Sequence, residues 1–119
     1  MKLAITATGT DLSADVDPRF GRASYILVVD SDTLAVEVID NAANKDAFKG
    51  AGIQAAAAVS DKGAEVLLTG FCGPNAFKTL DAAGVKVAND VSGTVQSAVD
   101  RFKAGEYPFS SAPNAEGHW

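Results

Sequence analysis

The residues of this chain that could hold a ligand are glycines and small polar residues, gathered where predicted strands end and predicted helices begin. Four such stretches occur, over 9–10, 50–52, 70–75 and 89–94. Three of them lead into a helix, and the unpaired N–H groups and the dipole of a helix N-terminus favour an anion. Glycine also makes turns at little cost, because it readily adopts positive φ. Four stretches converging on one edge favour a binding site over turns alone.

Two arginines add to that interpretation. Arg19 and Arg22 flank Phe20 and Gly21 in a chain whose formal net charge is −5. Such a pair would create a local positive field, and the planar guanidinium offers several donors to an anion. On spacing alone the alternative is equally open: both arginines could neutralise the acidic residues of the loop before them.

The single cysteine, Cys72, lies in a glycine-rich loop just before a predicted helix. This setting lowers the pKa of a thiol, so Cys72 is a candidate thiolate ligand or redox nucleophile. The alternative is a small buried residue in a tight loop, as free cysteines often are. One cysteine excludes an intramolecular disulfide and an all-cysteine metal site. The one histidine, His118, stands in a tail without apolar periodicity.

The sequence lacks the groups that catalysis requires. An active site needs paired carboxylates, a nucleophile with a base, or clustered metal ligands. The first predicted strand carries no carboxylate, and the only strand acids, Glu37 and Glu65, are expected to face outward or to end a strand. No dinucleotide-binding or P-loop glycine pattern is intact. The sequence therefore predicts a binding protein and not an enzyme.

Composition limits the partners. A length of 119 residues suits one domain, and a hydrophobic fraction of 47% predicts a true core. The acidic balance argues against nucleic acid and against an anionic membrane surface. No apolar run approaches the roughly 20 residues that span a bilayer. The first residues, 1–5, lack the features of a secretory signal, so a cytoplasmic location is expected.

The predicted elements would bring the ligand-binding candidates to one edge of a sheet. Apolar and β-branched runs predict strands over 3–8, 25–29, 34–39, 65–69 and 85–88. Helical spacing predicts helices over 53–61, from Pro74 to before Gly84, and from a cap at Ser92 to Gly105. Short turns make the first three strands antiparallel, whereas the intervening helices make the later ones parallel. The prediction is an α/β fold with a five-stranded mixed sheet, in the order β-β-β-α-β-α-β-α, with helices on both faces. Residues 1–106 would form the domain and 107–119 an irregular tail with no apolar face to bury.

Four motifs in chain order resemble one family. They are Phe20-Gly21-Arg22-Ala23 before a strand, Gly50-x-Gly52-Ile53-Gln54-Ala55-Ala56, Gly70-x-x-Gly73-Pro74-x-Ala76-Phe77-x-x-Leu80 with Ala83-Gly84-Val85, and Gly93-Thr94-Val95. The chain is identified by them, from about Met1 to Gly105, as a member of the dinitrogenase iron–molybdenum cofactor biosynthesis family. Members of this family include nitrogenase cofactor carriers and small stand-alone proteins.

The resemblance implies a ribonuclease-H-like fold without nuclease activity and a role in binding or carrying metal–sulfur clusters. Within the family the chain is most similar to a protein of sulfate-reducing bacteria that binds a molybdenum–copper sulfide cluster non-covalently. Many relatives have histidine just before the Phe-Gly pair, where this chain has Arg19. A cluster bound here would therefore keep its own sulfide shell and its negative charge, and backbone N–H groups with Arg19 or Arg22 would hold it.

The candidate cluster-binding residues combine the loops with the arginine-containing segment. They are Thr10, Arg19, Phe20, Gly21, Arg22, Gly50, Gly52, Gly70, Phe71, Cys72, Gly73, Pro74, Asn75, Asn89, Ser92, Gly93 and Thr94. None is predicted to ligate a metal directly, and a protein that donates or receives the cluster is an expected partner. Two alternatives stay open: an adaptor or regulatory subunit whose glycine loops are only structural, and a thiol redox protein using Cys72.

Overall fold

A computed structural model describes residues 1–41 and 51–113 of the chain. In chain order the elements are β1 (Lys2–Ala7), β2 (Tyr25–Asp30), β3 (Val36–Asp40), α1 (Ala51–Asp61), β4 (Val66–Leu68), α2 (Pro74–Ala82), β5 (Lys86–Ala88) and α3 (Val95–Lys103). The predicted α/β fold class and element order are confirmed. The candidate Gly50 and the tail histidine lie outside the described residues. Among the described helices, none is long and apolar enough to cross a membrane.

The five strands form one mixed sheet in the order β3-β2-β1-β4-β5. The first three strands pair antiparallel, with Ala7 opposite Tyr25 and Tyr25 opposite Asp40. β1, β4 and β5 pair parallel, with Ile5 beside Leu68. The carboxyl ends of β1, β3, β4 and β5 consequently share one edge of the sheet, here called the carboxyl edge.

Helices cover both faces of this sheet, as the near-continuous apolar runs of its central strands require. Side chains alternate along β1, so Leu3 and Ile5 face one side and Ala4 the other. α3 covers the first face, where Val95 is fully buried. α1 and α2 cover the second, where Val59 is fully buried. Two apolar layers therefore hold the strands in place beneath the carboxyl edge.

The third strand starts later than the predicted residue 34. Leu34 has a φ of 62°, and its N–H donates to the Asp30 carbonyl at 2.8 Å, so it belongs to a turn. The Asp30 carboxylate stabilises this turn by accepting from the N–H groups of Asp32 and Thr33. The strand can begin only at Val36, once the backbone is extended again.

The prediction that Ser92 caps the last helix is also wrong. Thr94, and not Ser92, is the N-cap of α3: its backbone is extended, and its hydroxyl oxygen accepts from the Ser97 N–H at 3.1 Å. Ser92 lies exposed in the preceding loop. Both residues are good capping types, so their order along the chain could not decide between them.

The segment after α3 is irregular, as expected, but it packs on the domain. Arg101 lies over the half-buried Tyr107 ring, 4.9 Å from its centroid, and the rings of Phe102 and Phe109 are 6.2 Å apart. The Ser110 N–H donates to the outer edge of β5, at the Val87 carbonyl. The expectation that this segment has nothing to bury is therefore wrong for the described residues up to 110.

Candidate anion-binding site

The crevice between the carboxyl ends of β1 and β4 is the natural place for a ligand. The chain leaves β1 toward β2 on one side, whereas β4 lies on the other, and open α/β sheets bind ligands at such a switch point. Here the chain itself fills the crevice with residues 17–20, called the Arg19 segment. Asp17 forms the inner contact: its N–H donates to the Thr6 carbonyl, and its carbonyl accepts from the Thr6 hydroxyl at 2.6 Å.

The outer part of the Arg19 segment pairs with the loop that follows β4. The Phe71 N–H donates to the Pro18 carbonyl at 2.6 Å, and the Phe20 N–H donates to the Phe71 carbonyl at 3.0 Å. Arg19 and Phe71 thereby form a short parallel bridge. Because Gly73 and α2 follow almost directly, this pairing holds Arg19 near the start of α2.

A tight turn carries both arginines. The Arg22 N–H donates to the Arg19 carbonyl at 3.2 Å, and Gly21 between them has a φ of 93°, which only glycine adopts readily. The Arg19 side chain is 48% exposed, and its Nε lies 3.8 Å from the Asp17 carboxylate. The Asp17 oxygen also accepts from the Arg19 N–H at 3.0 Å. A buried carboxylate therefore orients one arginine, while half of that arginine's side chain faces solvent.

The N-terminus of α2 offers backbone donors. Its N-cap, Gly73, has no side chain to accept from the first turn, and Pro74 has no N–H. Within the described part of the chain, no oxygen accepts from the N–H groups of Asn75 or Ala76. Unpaired N–H groups and the positive end of the helix dipole together favour an anion. The candidates from Gly73 to Asn75 thus follow closely after Phe71, which pairs with Arg19.

The N-terminus of α3 is different, contrary to expectation. The N–H groups of Val95 and Gln96 donate to carbonyls of the loop 12–14, each at 2.9 Å, and that of Ser97 donates to the Thr94 hydroxyl. Every donor of this first turn is used within the chain. The candidates Ser92, Gly93 and Thr94 therefore offer no bare helix terminus, although they lie at the carboxyl edge.

Two further candidates at the carboxyl edge, Thr10 and Asn89, have neighbours that disfavour their binding an anion. Thr10 stands next to Asp11, whose pKa is lowered chiefly because the Ser13 hydroxyl donates to its carboxylate. This fixed negative charge disfavours an anion at Thr10. The Asn89 amide donates to the Ser110 hydroxyl at 2.9 Å, so its donor is turned toward the irregular segment.

Several candidate glycines are required by the backbone itself. A Cβ on Gly70 would lie 2.7 Å from the Pro18 carbonyl oxygen, and one on Gly52 would lie 3.0 Å from the Ala76 Cβ. Gly93, like Gly21, has a positive φ. These contacts favour the structural alternative for the glycines, so Arg19 and the α2 terminus carry the argument for an anion.

Phe20 and Cys72 face inward. Both are fully buried in the apolar layer beneath α1 and α2. Burial raises the pKa of the Cys72 thiol to about 12, so the expected lowering of this pKa is wrong. The cause of this rise is desolvation of the buried thiolate. No group of three or more metal-ligating side chains occurs among the described residues.

Cys72 should therefore be inert toward alkylation in the folded protein. Its thiol is buried and remains protonated well above neutral pH. We expect labelling by iodoacetamide at pH 8 to be at least about a hundredfold slower in buffer than in 8 M urea, because the thiolate fraction falls about tenfold for each unit by which the pKa rises. Labelling can be followed by mass spectrometry. Equal rates in buffer and urea would restore Cys72 as a redox nucleophile.

Three buried polar residues that support the site were not among the sequence candidates. Thr6 and Thr69 lie at the carboxyl ends of β1 and β4, and their hydroxyl oxygens are 2.8 Å apart. The Asn41 amide donates to the carbonyls of Gly21 and Ala23 and so fixes the end of the turn that carries both arginines. The sequence offered little signal for them: Thr6 and Thr69 fall within predicted strands, and Asn41 follows one.

Comparison with known proteins gives a consistent picture. The family model described as "dinitrogenase iron-molybdenum cofactor" matches residues 1–105. The chain is similar to the orange protein from Desulfovibrio gigas, solved in its apo form, with 50% identity over 96% of each chain and a TM-score of 0.93. A Thermotoga protein of the DUF35 family is 40% identical over 98% of each chain, with a TM-score of 0.83.

A more distant structure supports the fold alone. A protein proposed to be a dinitrogenase, from Methanocaldococcus jannaschii, is 17% identical over 95% of this chain and 97% of its own length, with a TM-score of 0.66. No curated protein matches the chain. The predicted resemblance, both to the family and to the orange protein within it, is confirmed.

Proposed function

Since the chain belongs to the dinitrogenase iron–molybdenum cofactor family, we propose that it binds and carries a preassembled, anionic metal–sulfur cluster and catalyses no reaction. The cluster is cargo, and the specific cargo that we propose is a molybdenum–copper sulfide, held non-covalently. Cytoplasmic residence and a protein that delivers or receives the cluster are parts of the same proposal.

One observation carries this proposal: the loop that pairs with the half-exposed Arg19 leads directly into a helix start whose N–H groups have no acceptor among the described residues. The N–H groups of Asn75 and Ala76 have no acceptor among the described residues, and Arg19 is held close by its pairing with Phe71. In a protein of net charge −5, these donors create a local attraction for an anion, of which the Asp17 carboxylate offsets part. A sulfide-rich anion fits these donors.

The ligand chemistry favours a cluster that arrives complete. Direct coordination of an exposed metal takes about four donors from cysteine, histidine or carboxylate. The described residues contain no such group, and the Cys72 thiol is buried and protonated. The metals must therefore keep their sulfides, while the protein contributes charge and hydrogen bonds. Phe71, 40% exposed beside Arg19, adds an apolar surface for the weakly hydrated sulfides.

Titration of the purified protein tests the proposal. Tetrathiomolybdate is added with and without copper chloride, excess reagent is removed by desalting, and the visible spectrum of the protein fraction is recorded. We expect colour to be retained at one cluster per chain when copper is present, and Cys72→Ser to retain it equally. Added salt should weaken binding, because exposed charges are screened.

A colourless protein fraction at low salt would contradict the proposal and favour the adaptor alternative. Loss of colour in Cys72→Ser, with an unchanged circular dichroism spectrum, would instead make the thiol a ligand. A further control is tetrathiomolybdate with a folded acidic protein of similar net charge, which should elute colourless.

A further inference from the structure

The buried hydroxyl pair at the base of the site has a function of its own. We propose that Thr6 and Thr69 are positioning residues: they fix the Arg19 segment on the sheet and so set the affinity for the anion without touching it. This inference rests on the proposed function for its binding consequence, whereas its structural part can be tested separately.

The hydrogen-bond geometry decides which hydroxyl of the pair is the donor. The Thr6 hydroxyl has one proton, which it donates to the Asp17 carbonyl at 2.6 Å. Thr69 must then be the donor in the 2.8 Å contact between the two hydroxyl oxygens. Both side chains are fully buried, so no water competes with these bonds. The order of donation is Thr69 to Thr6 to Asp17.

Both threonines are anchored to rigid parts of the sheet. Thr6 lies within β1, and the Thr69 backbone bonds to the carboxyl end of β5 through the Ala88 carbonyl. The next contact in the series leads to the arginine, because the Asp17 carboxylate accepts from the Arg19 N–H. The position of Arg19 relative to α2 is thus set from the sheet, through Thr6 and Asp17.

The alternative is that the pair only stabilises the fold. Two variants separate these roles. Thr6→Val removes the donor to Asp17 and leaves the Thr69 hydroxyl without its acceptor, so it should lower both stability and affinity. The double variant Thr6→Val/Thr69→Val also removes the Thr69 hydroxyl that Thr6→Val leaves without an acceptor, so it should regain part of the stability. It should not regain affinity, because Asp17 still lacks its donor.

The experiment measures three quantities on each variant: the melting temperature, the affinity for tetrathiomolybdate with copper, and amide hydrogen exchange at Phe20 and Phe71. These two amides report directly on the pairing of the Arg19 segment. We expect Thr6→Val to weaken binding about tenfold, the loss of roughly one charge-assisted contact, and to speed exchange at both amides. Thr69→Val should weaken binding and speed exchange less than Thr6→Val does. Thr6→Ser keeps the hydroxyl and should change affinity and exchange very little.

Val99→Ala is the matched control, since it destabilises the fully buried layer beneath α3 without touching the Arg19 segment. Equal affinity and exchange in wild type and Thr6→Val would overturn the inference. So would an affinity that follows melting temperature alone across all variants, the control included. If wild type binds no tetrathiomolybdate, the proposed function fails, while exchange at Phe20 and Phe71 still decides whether the pair positions the segment.

Discussion

Replacing Arg19 and Arg22 together by alanine should weaken binding of tetrathiomolybdate with copper about a hundredfold at low salt. A hydrogen bond between charged groups contributes about 1.5–3 kcal/mol, which is roughly tenfold to a hundredfold in affinity. Arg19 is half exposed and Arg22 is only partly buried, so the lower end of this range applies, at about tenfold for each arginine. Isothermal titration at two salt concentrations measures both the loss and its screening.

Lysine substitutions and a distant cation make this prediction specific. Arg19→Lys should restore part of the affinity, because lysine keeps the charge but lacks the planar, multi-donor group. Lys86→Ala changes the net charge as much as either arginine variant does, and Lys86 lies exposed at the amino end of β5, opposite the carboxyl edge. It should bind like wild type. If the double alanine variant does so too, the arginines take no part in holding the anion.

The fold was predictable because its signals are local. Apolar runs marked β1, β2 and β4, and the helical spacing of apolar residues marked α3. The change from short turns to helical connections indicated which strands run parallel. The ends of strands were harder to predict. Leu34 fits an apolar run, but it lies in the turn after Asp30 with a positive φ and is therefore not part of β3.

The site was predictable only in part, because its contacts join residues far apart in sequence. The position of Arg19 depends on Phe71, and the donors of α3 are used by carbonyls of the loop 12–14. No local pattern reveals either contact. Thr6 and Thr69 look like ordinary β-branched strand residues until the parallel register of β1 and β4 brings their hydroxyls together.

Phe20 shows how a correct motif can be assigned the wrong role. It stands between two arginines and next to a glycine, and this motif placed it among the candidate cluster-binding residues. The structure buries its ring completely in the apolar layer beneath α1 and α2. The ring anchors the turn that carries both arginines. Its burial depends on the tertiary packing around it, which a single sequence does not display.

Gly70→Ala should disrupt the site strongly, because the added methyl group would meet backbone atoms. The new Cβ would lie 2.7 Å from both the Cα and the carbonyl oxygen of Pro18, and backbone atoms cannot swing aside as a side chain can. The Arg19 segment would have to move away from the loop after β4, which breaks the 2.6 Å bond from the Phe71 N–H to the Pro18 carbonyl. We expect a stability loss of about 1–3 kcal/mol, typical of overpacking. Affinity for the cluster should fall about tenfold, because a displaced Arg19 loses roughly one charge-assisted hydrogen bond.

Gly84→Ala separates the displacement of Arg19 from a loss of stability. Gly84 has a φ of 78°, so alanine is strained there, yet a Cβ would meet no atom within 4 Å, and the residue lies between α2 and β5, away from the carboxyl edge. The strain costs about 1 kcal/mol. Chemical denaturation and cluster titration on both variants should therefore show two losses of stability but only one loss of affinity. Gly70→Ala could instead bind the cluster as tightly as Gly84→Ala does. The close contact between Pro18 and Gly70 would then not be required for binding, and Arg19 would reach the anion from another position.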